Sequence, residues 1–423
     1  MIIADHLPAT SGSAHQLPSA RDNRVDLVPL PRSSRYDSLD LWRGVACLLV
    51  LANHSVFYER SAAAASGFGL VNGWAAAIAQ RLWAGVPIFF VISGYCITAT
   101  IDKQRRTGVP IRTYFYRRFR RIFPPFWVTL VTTALVVACL DLAVPGLMTR
   151  DGLFLRPWWY SPWQWAGTAT LTEFWRWHLI GGQKALILGH AWTLCYEEQF
   201  YAVAGLLLAI CPRRYFAGTV AVTAAVLASM SWAAWTGVPI DGFFFDGNWI
   251  QFSFGVLVYY TLNYGQAGWR WIASAGFAAA FVGTAFGDLS APAKNDAQVY
   301  AVASAFAFAA LWIRPYDRAL NASVWLKPLR NCGLMCYSLY LVHLPVVDLI
   351  KALLLGAGVA TKTMSPFVSL IICGVPSLWV AWKFHLIVER RFMGTPTSLH
   401  PALNLDTEAH QVAARPGALR VAP

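Results

Sequence analysis

Several stretches of this chain place ionisable or nucleophilic side chains at helical spacing inside apolar sequence. In LDLWRGVACLLVLANHSVFY, Arg43 and His54 are about three helical turns apart, so they project from nearly one face with roughly 16 Å between them along the axis. In HAWTLCYEEQFY, the spacing puts His190, Glu197 and Tyr201 on a common face. CGLMCYSLYLVHLP carries Ser338, Tyr340 and His343, and GVPIFFVISGYCITAT offers Ser93 beside Gly94. YRRFRRIFPPFW sets Arg117, Arg118, Arg120 and Arg121 directly before an apolar run, with Pro124 and Pro125 fixing the geometry of entry. An imidazole takes a proton from an attacking hydroxyl near neutral pH, and a carboxylate orients it or stabilises its charged form. Guanidinium forks bind phosphate bidentately, which explains arginine rather than lysine in the cluster.

Each residue also has a plainer reading. Arg43 can snorkel to headgroups, His54 and His343 can be satisfied core histidines, and Gly94 with Ser93 can serve close helix packing. What weighs against these readings is their coincidence. Ionisable groups inside a membrane span are costly and usually face an interior cavity, and His54, Glu197 and His343 are expected to converge at one depth.

The elements that must hold them are membrane helices. The 423 residues are 57% hydrophobic and 13% charged, against about 25% charged in soluble domains. Apolar runs of about 20 residues recur along the chain, each long enough to cross roughly 30 Å of hydrocarbon. Expected spans are 39–58, 82–101, 122–145, 192–211, 215–236, 246–262, 270–288, 298–313, 333–355 and 367–388: an all-α, polytopic bundle of about ten helices. Residues 1–38 and 394–423 read as disordered cytoplasmic tails flanking a transmembrane domain over 39–393.

The net charge of +13 sits in short connections rather than along a soluble face, so nucleic acid is not an expected partner. Arg21, Arg24, Arg32 and Arg35, the stretch from Lys103 to Arg121, then Arg213 and Arg214, Arg314 to Arg330, and Arg390 with Arg391 alternate with connections holding Asp241, Asp246, Asp288 and Asp296. The bias places both termini in the cytoplasm of a bacterial inner membrane. The eight cysteines lie in apolar runs without a CxxC pair and read as buried thiols. Residues 146–191 are crowded with tryptophan and read as an interfacial helix or aromatic belt, with a lid or a sugar-stacking surface as the alternative.

With these residues in view, the chain resembles the acyltransferase-3 family of integral membrane acyltransferases. The resemblance rests on LDLWRGVACLLVLANH, GVPIFFVISGYCI, RRFRRIFP, HAWTLCYEEQFY and the looser CYSLYLVH, in the family's order, and covers about residues 37–393. It implies transfer of an acyl group, foremost acetyl, from cytoplasmic acyl-CoA to a hydroxyl of a glycan, exopolysaccharide, lipid-linked sugar or small glycoside. Arg43 and His54 match the family's essential pair, and Arg118 with Arg121 matches its Arg-x-x-Arg. Arg117 with Arg120 offers a second register. Glu197 matches the acidic residue of a Trp-Ser-Leu-x-x-Glu-like motif, with Thr193 and Cys195 standing where serine is common.

The expected site is therefore His54, Glu197 and Arg43 as catalytic residues, the four arginines on acyl-CoA, and Ser93, Tyr201, Tyr340 and His343 on substrate, with membrane lipid around the bundle and no metal. His54 would act as general base, with Glu197 orienting it; a covalent histidine or Ser93 intermediate is the alternative route. The rival class is a proton-coupled transporter or flippase of an envelope glycan precursor, with the buried His and Glu as a proton relay. The sequence is silent on oligomeric state.

Overall fold

The computed structural model describes residues 36–57, 69–238, 240–286 and 291–393. The tail residues 1–35 and 394–423, including Arg21, Arg24, Arg32 and Arg35, lie outside the described residues, as do Asp288 and the side chain of Asp296.

The described residues are helical and contain no strand. Ten long helices overlap the ten expected ranges, three of them extending well beyond: α1 (Leu39–Ser55), α3 (Gly85–Thr107), α4 (Ile111–Ala143), α7 (Trp192–Ile210), α8 (Tyr215–Thr236), α9 (Asn248–Asn263), α10 (Trp269–Phe286), α11 (Ala291–Ile313), α14 (Cys336–Gly356) and α15 (Pro366–Phe384), with α3 running past 101, α4 starting before 122 and α11 before 298. Shorter helices lie between them: α2 (Gly69–Ala79), α5 (Pro162–Ala169), α6 (Glu173–Ile180), α12 (Asp317–Ala322) and α13 (Lys327–Leu334). Six helical stretches are long and apolar enough to cross a membrane: Val71–Thr107, Ile111–Ala143, Pro212–Thr236, Ala297–Ala322, Cys336–Gly356 and Pro366–Phe392. Length and composition therefore support six spans and leave the expected ten unconfirmed. The helices outside this count have identifiable reasons: α1 and α9 hold 17 and 16 residues, α7 carries Glu197, Glu198 and Gln199, and α10 carries Arg270.

The outward faces of α4, α8 and α15 expose Val131, Leu135, Trp235, Ile371, Val375 and Trp379, an apolar mantle that suits lipid contact. The core beneath is aromatic, with Phe90, Phe126, Phe200, Trp249 and Phe252 packed together. Two glycine contacts bring helix backbones close. A Cβ on Gly94 would lie 2.0 Å from the Phe252 carbonyl oxygen, and one on Gly255 would lie 2.0 Å from that of Val91, so α3 and α9 pack with no side chain between them. Gly333 on α13 meets the Asp40 carbonyl in the same way, and Gly44 meets that of Leu329.

The start of α1 is anchored. The Asp37 and Ser38 amides donate to the Asp317 carboxylate at 2.8 and 2.7 Å, and Asp317 is itself paired with Arg314 at 2.5 Å. Ser38 makes no side-chain cap, so Asp317 satisfies the orphan donors from another element. Tyr36, expected in the tail, is buried and donates to the Ala310 carbonyl at 3.0 Å. The tryptophan-rich connection folds into α5 and α6, the first opened by a Ser161–Gln164 capping box. Trp158, Trp159, Trp163 and Trp175 point outward there, as an interfacial belt would have them.

Candidate functional site

The helices enclose a cavity of about 410 Å³ that follows α1 from Leu39 to His54, roughly 22 Å of helix. Arg43, Arg118 and Arg121 line it toward one end, and His54, His190 and His343 toward the other. Ser93, Glu197, Tyr201 and Tyr340 complete the wall.

At the arginine end, Arg43 donates to Asp40 Oδ1 at 2.8 Å and to Cys96 Sγ at 3.0 Å. The salt bridge and the thiol hold the guanidinium in the cavity wall, so it does not simply snorkel outward. Arg118 lies with its Cζ 4.8 Å from the centroid of the Tyr201 ring. The two arginine registers separate clearly. Arg118 and Arg121 are half-buried lining residues, whereas Arg117 and Arg120 are exposed and absent from the cavity wall. Arg120 instead donates to the Arg391 carbonyl at 3.2 Å. The helical turn of α4 is the reason: positions 118 and 121 share the face that Tyr114 and Ile122 bury, and 117 and 120 lie around the cylinder from it.

Midway, Ser93 Oγ donates to Glu197 Oε1, and the Tyr201 hydroxyl bonds the same carboxylate, which also feels the charges of Arg118 and Arg121. Among the described residues no hydrogen bond or ion pair joins Glu197 to His54; the carboxylate is engaged by hydroxyls and faces the arginine side. Its rotation about α7 decides this, because Tyr201 one turn further on aims at the same point.

At the histidine end, the His54 and His343 rings lie 5.4 Å apart between centroids, and His190 lies 5.1 Å from His343. The expected convergence of His54 with His343 is therefore present. Thr193 and Tyr340 share a hydroxyl–hydroxyl hydrogen bond at 3.0 Å, and Tyr340 also donates to the His190 carbonyl at 2.9 Å, tying the start of α7 to α14. Pro345 inside α14 has no N–H, which frees a carbonyl one turn back and loosens the helix beside His343. Ser338 departs from the expected group: it turns away from the cavity and donates to Glu389 at 2.5 Å. Among the described residues no set of three or more His, Cys, Asp or Glu side chains has the geometry to hold a metal ion.

Several lining residues escaped the sequence reading. Helical spacing puts His190 on the cavity face but assigns it no role. Tyr95, Cys47, Cys96, Cys336 and Tyr337 line the cavity too. A helical-periodicity signal was available for some of them: Cys336, Tyr340 and His343 repeat at i, i+4 and i+7, as Ser93, Cys96 and Thr100 do at i, i+3 and i+7.

The acyltransferase-3 family model, described as an acyltransferase domain, matches residues 36–386. The peptidoglycan O-acetyltransferase OatA of Listeria monocytogenes is 26% identical over 185 residues, 41% of this chain and 25% of that protein. The O-acetyltransferase OatA of Staphylococcus aureus is 27% identical over 139 residues, 31% of this chain and 21% of that protein. The chain thus spans a quarter or less of the length of these relatives. No solved structure matches it.

Proposed function

The chain belongs to the acyltransferase-3 family, and from that premise we propose that it is a membrane acyltransferase that transfers an acetyl group from cytoplasmic acetyl-CoA to a hydroxyl of an envelope glycan. The observation that carries this reading is a continuous cavity with guanidinium groups toward one end and imidazoles toward the other. Arg118 and Arg121, assisted by Arg43, would take the donor's phosphates, leaving the pantetheine arm to run along α1 toward His54. Glu197 would hold Ser93, Tyr201 and the arginine pair in register rather than orient the base.

In the transfer step the acceptor oxygen bonds to the acyl carbon while the thioester C–S bond breaks. His54 takes the hydroxyl proton and returns it to the departing coenzyme A thiolate. The nearby O-acetyltransferase relatives support acetyl over longer groups and a glycan over a small glycoside. A proton-coupled transporter would use the buried histidines and Glu197, but it leaves an Arg-only wall without a purpose.

Ten spans with both termini in the cytoplasm fit this arrangement, because the four helices that fail on length or hydropathy include α1 and α7, whose polar residues line the cavity. Tails over 1–38 and 394–423 flanking that domain remain part of the proposal, except that Tyr36, Asp37 and Ser38 are bonded to the helical bundle. The test is transfer of label from [14C]acetyl-CoA to endogenous glycans in membrane vesicles carrying the chain, with the product located by mass spectrometry. His54→Ala is expected to lower kcat by about a hundredfold or more while leaving membrane insertion unchanged. Undiminished transfer by that variant removes His54 from the mechanism.

A further inference from the structure

The role expected of Glu197, holding the catalytic imidazole, has a different candidate. His343 presents its Nδ1 to two backbone carbonyls of its own helix, Leu339 at 3.0 Å and Tyr340 at 2.8 Å. Carbonyls only accept, so Nδ1 carries the ring proton and Nε2 is left with its lone pair. The side chain is 2% exposed, and Nε2 has no hydrogen-bond partner among the described residues. A buried polar atom without a partner calls for an explanation. This one belongs to a ring that lines the cavity and neighbours His54, whose own ring no hydrogen bond holds among the described residues. With 5.4 Å between centroids and a 46° tilt, the two rings are neighbours in the cavity wall.

We propose that His343 is the positioning residue for His54: its fixed Nε2 lone pair accepts the N–H of His54, selecting the tautomer whose other nitrogen is free to take the acceptor's proton. The inference rests on the reading of His54 as base. The proton ledger is complete. The acceptor hydroxyl gives its proton to the free nitrogen of His54, and the resulting imidazolium keeps its second N–H on His343 Nε2. The acyl C–O bond forms as the C–S bond breaks, and the coenzyme A thiolate recovers the proton from His54. Backbone carbonyl, His343 and His54 form a chain in which the carbonyl sets one tautomer and that tautomer sets the next. The logic is that of the carboxylate in a serine hydrolase triad, with a neutral ring in its place. His190, 5.1 Å from His343 and also close to His54, is the third titratable ring of the group, and its two ring nitrogens likewise have no hydrogen-bond partner among the described residues.

Two variants of the full chain test it, His343→Leu and His343→Gln, the second keeping a side-chain oxygen able to accept near the position of Nε2. In vesicles with [14C]acetyl-CoA and endogenous glycans, His343→Leu is expected to lower kcat about a hundredfold with KM for acetyl-CoA within about twofold, and His343→Gln to recover at least tenfold of that loss. Nitrogen-15 NMR of histidine-labelled protein gives a readout that a merely structural role would not move. His54 is expected in one tautomer in the wild type and the Gln variant, and averaged between two in the Leu variant. Equal activity of His343→Leu and wild type, no recovery in His343→Gln, or an unchanged His54 tautomer in His343→Leu overturns the proposal. His54→Ala measured alongside separates the two readings. If it retains activity, the assignment of the base fails and this inference fails with it. If it is inactive while His343→Leu is active, only the positioning role fails.

Discussion

At the scale of single residues, the site is decided by which way side chains turn on their helices. Arg118 and Arg121 reach the cavity and Arg117 and Arg120 do not, although all four stand within one turn and a half of α4. A phosphate-bearing donor should therefore distinguish them. A hydrogen bond to a charged group contributes about 1.5–3 kcal/mol, so Arg118→Ala and Arg121→Ala should each weaken acetyl-CoA binding by roughly ten- to a hundredfold. Arg117→Ala and Arg120→Ala should leave it within about threefold, since exposed charges contribute little. Equilibrium binding of labelled acetyl-CoA to the purified protein in detergent checks the four variants together, and a uniform loss across them would mean a diffuse electrostatic effect rather than a built site. Glu197 shows the same principle from the other side. Its type and depth were legible in HAWTLCYEEQFY, but its partner was not, because Ser93 and Tyr201 claim the carboxylate before His54 can.

At the scale of elements, those rotations are set where backbones touch. Gly94 and Gly255 let α3 and α9 meet with carbonyl oxygens where side chains would otherwise stand, and Ser93 and Cys96 flank that contact on the cavity side. Gly255→Val should push the helices apart. Its Cβ would fall 2.0 Å from the Val91 oxygen and 2.6 Å from the Tyr95 nitrogen, both backbone atoms that cannot swing aside. Overpacking of this kind costs about 1–3 kcal/mol or more, and the expected result is a lowered thermal midpoint in detergent together with lost transfer activity. Gly276→Ala on α10 is the contrasting case, with open space around its Cβ, and should be neutral or gain up to about 1 kcal/mol from helix propensity. Equal behaviour of the two would remove the close contact as the cause. The long helices were legible because an apolar run of membrane length has few other readings. The short ones were not: α2 is 11 residues, and α12 and α13 have 6 and 8. The grip of α13 on α1 depends on Gly44 and Gly333 meeting across some 290 residues of chain, a pairing that no local pattern encodes.

At the scale of the whole molecule, the cavity and the charge distribution share one axis. Arg43, Arg118 and Arg121 stand at the end where Arg105, Arg106, Arg213, Arg214, Arg314 and Lys327 also gather, and the tryptophan-bearing α5 and α6 lie toward the end marked by His54 and His190. Under the proposed function, a bundle arranged this way would let donor and acceptor enter from opposite faces of the membrane and meet near His54, so that the acyl group would cross part of the bilayer as the donor's arm is inserted, with no large rotation of the protein required. The basic face should be cytoplasmic, by the same bias that orients membrane helices generally. Val324, exposed in the turn between α12 and α13, and Trp163, exposed on α5, mark the two faces. A cysteine introduced at Val324 should react with a membrane-impermeant maleimide only in inside-out vesicles, and one at Trp163 only in right-side-out vesicles. The labelled peptides are separated from native cysteine peptides by mass spectrometry. Acetyl-CoA supplied outside sealed right-side-out vesicles should correspondingly support no transfer. Labelling of both positions from one side would mean that the cavity does not connect the two faces, and the opposed entry of donor and acceptor would have to be abandoned even with the arginine and histidine assignments intact.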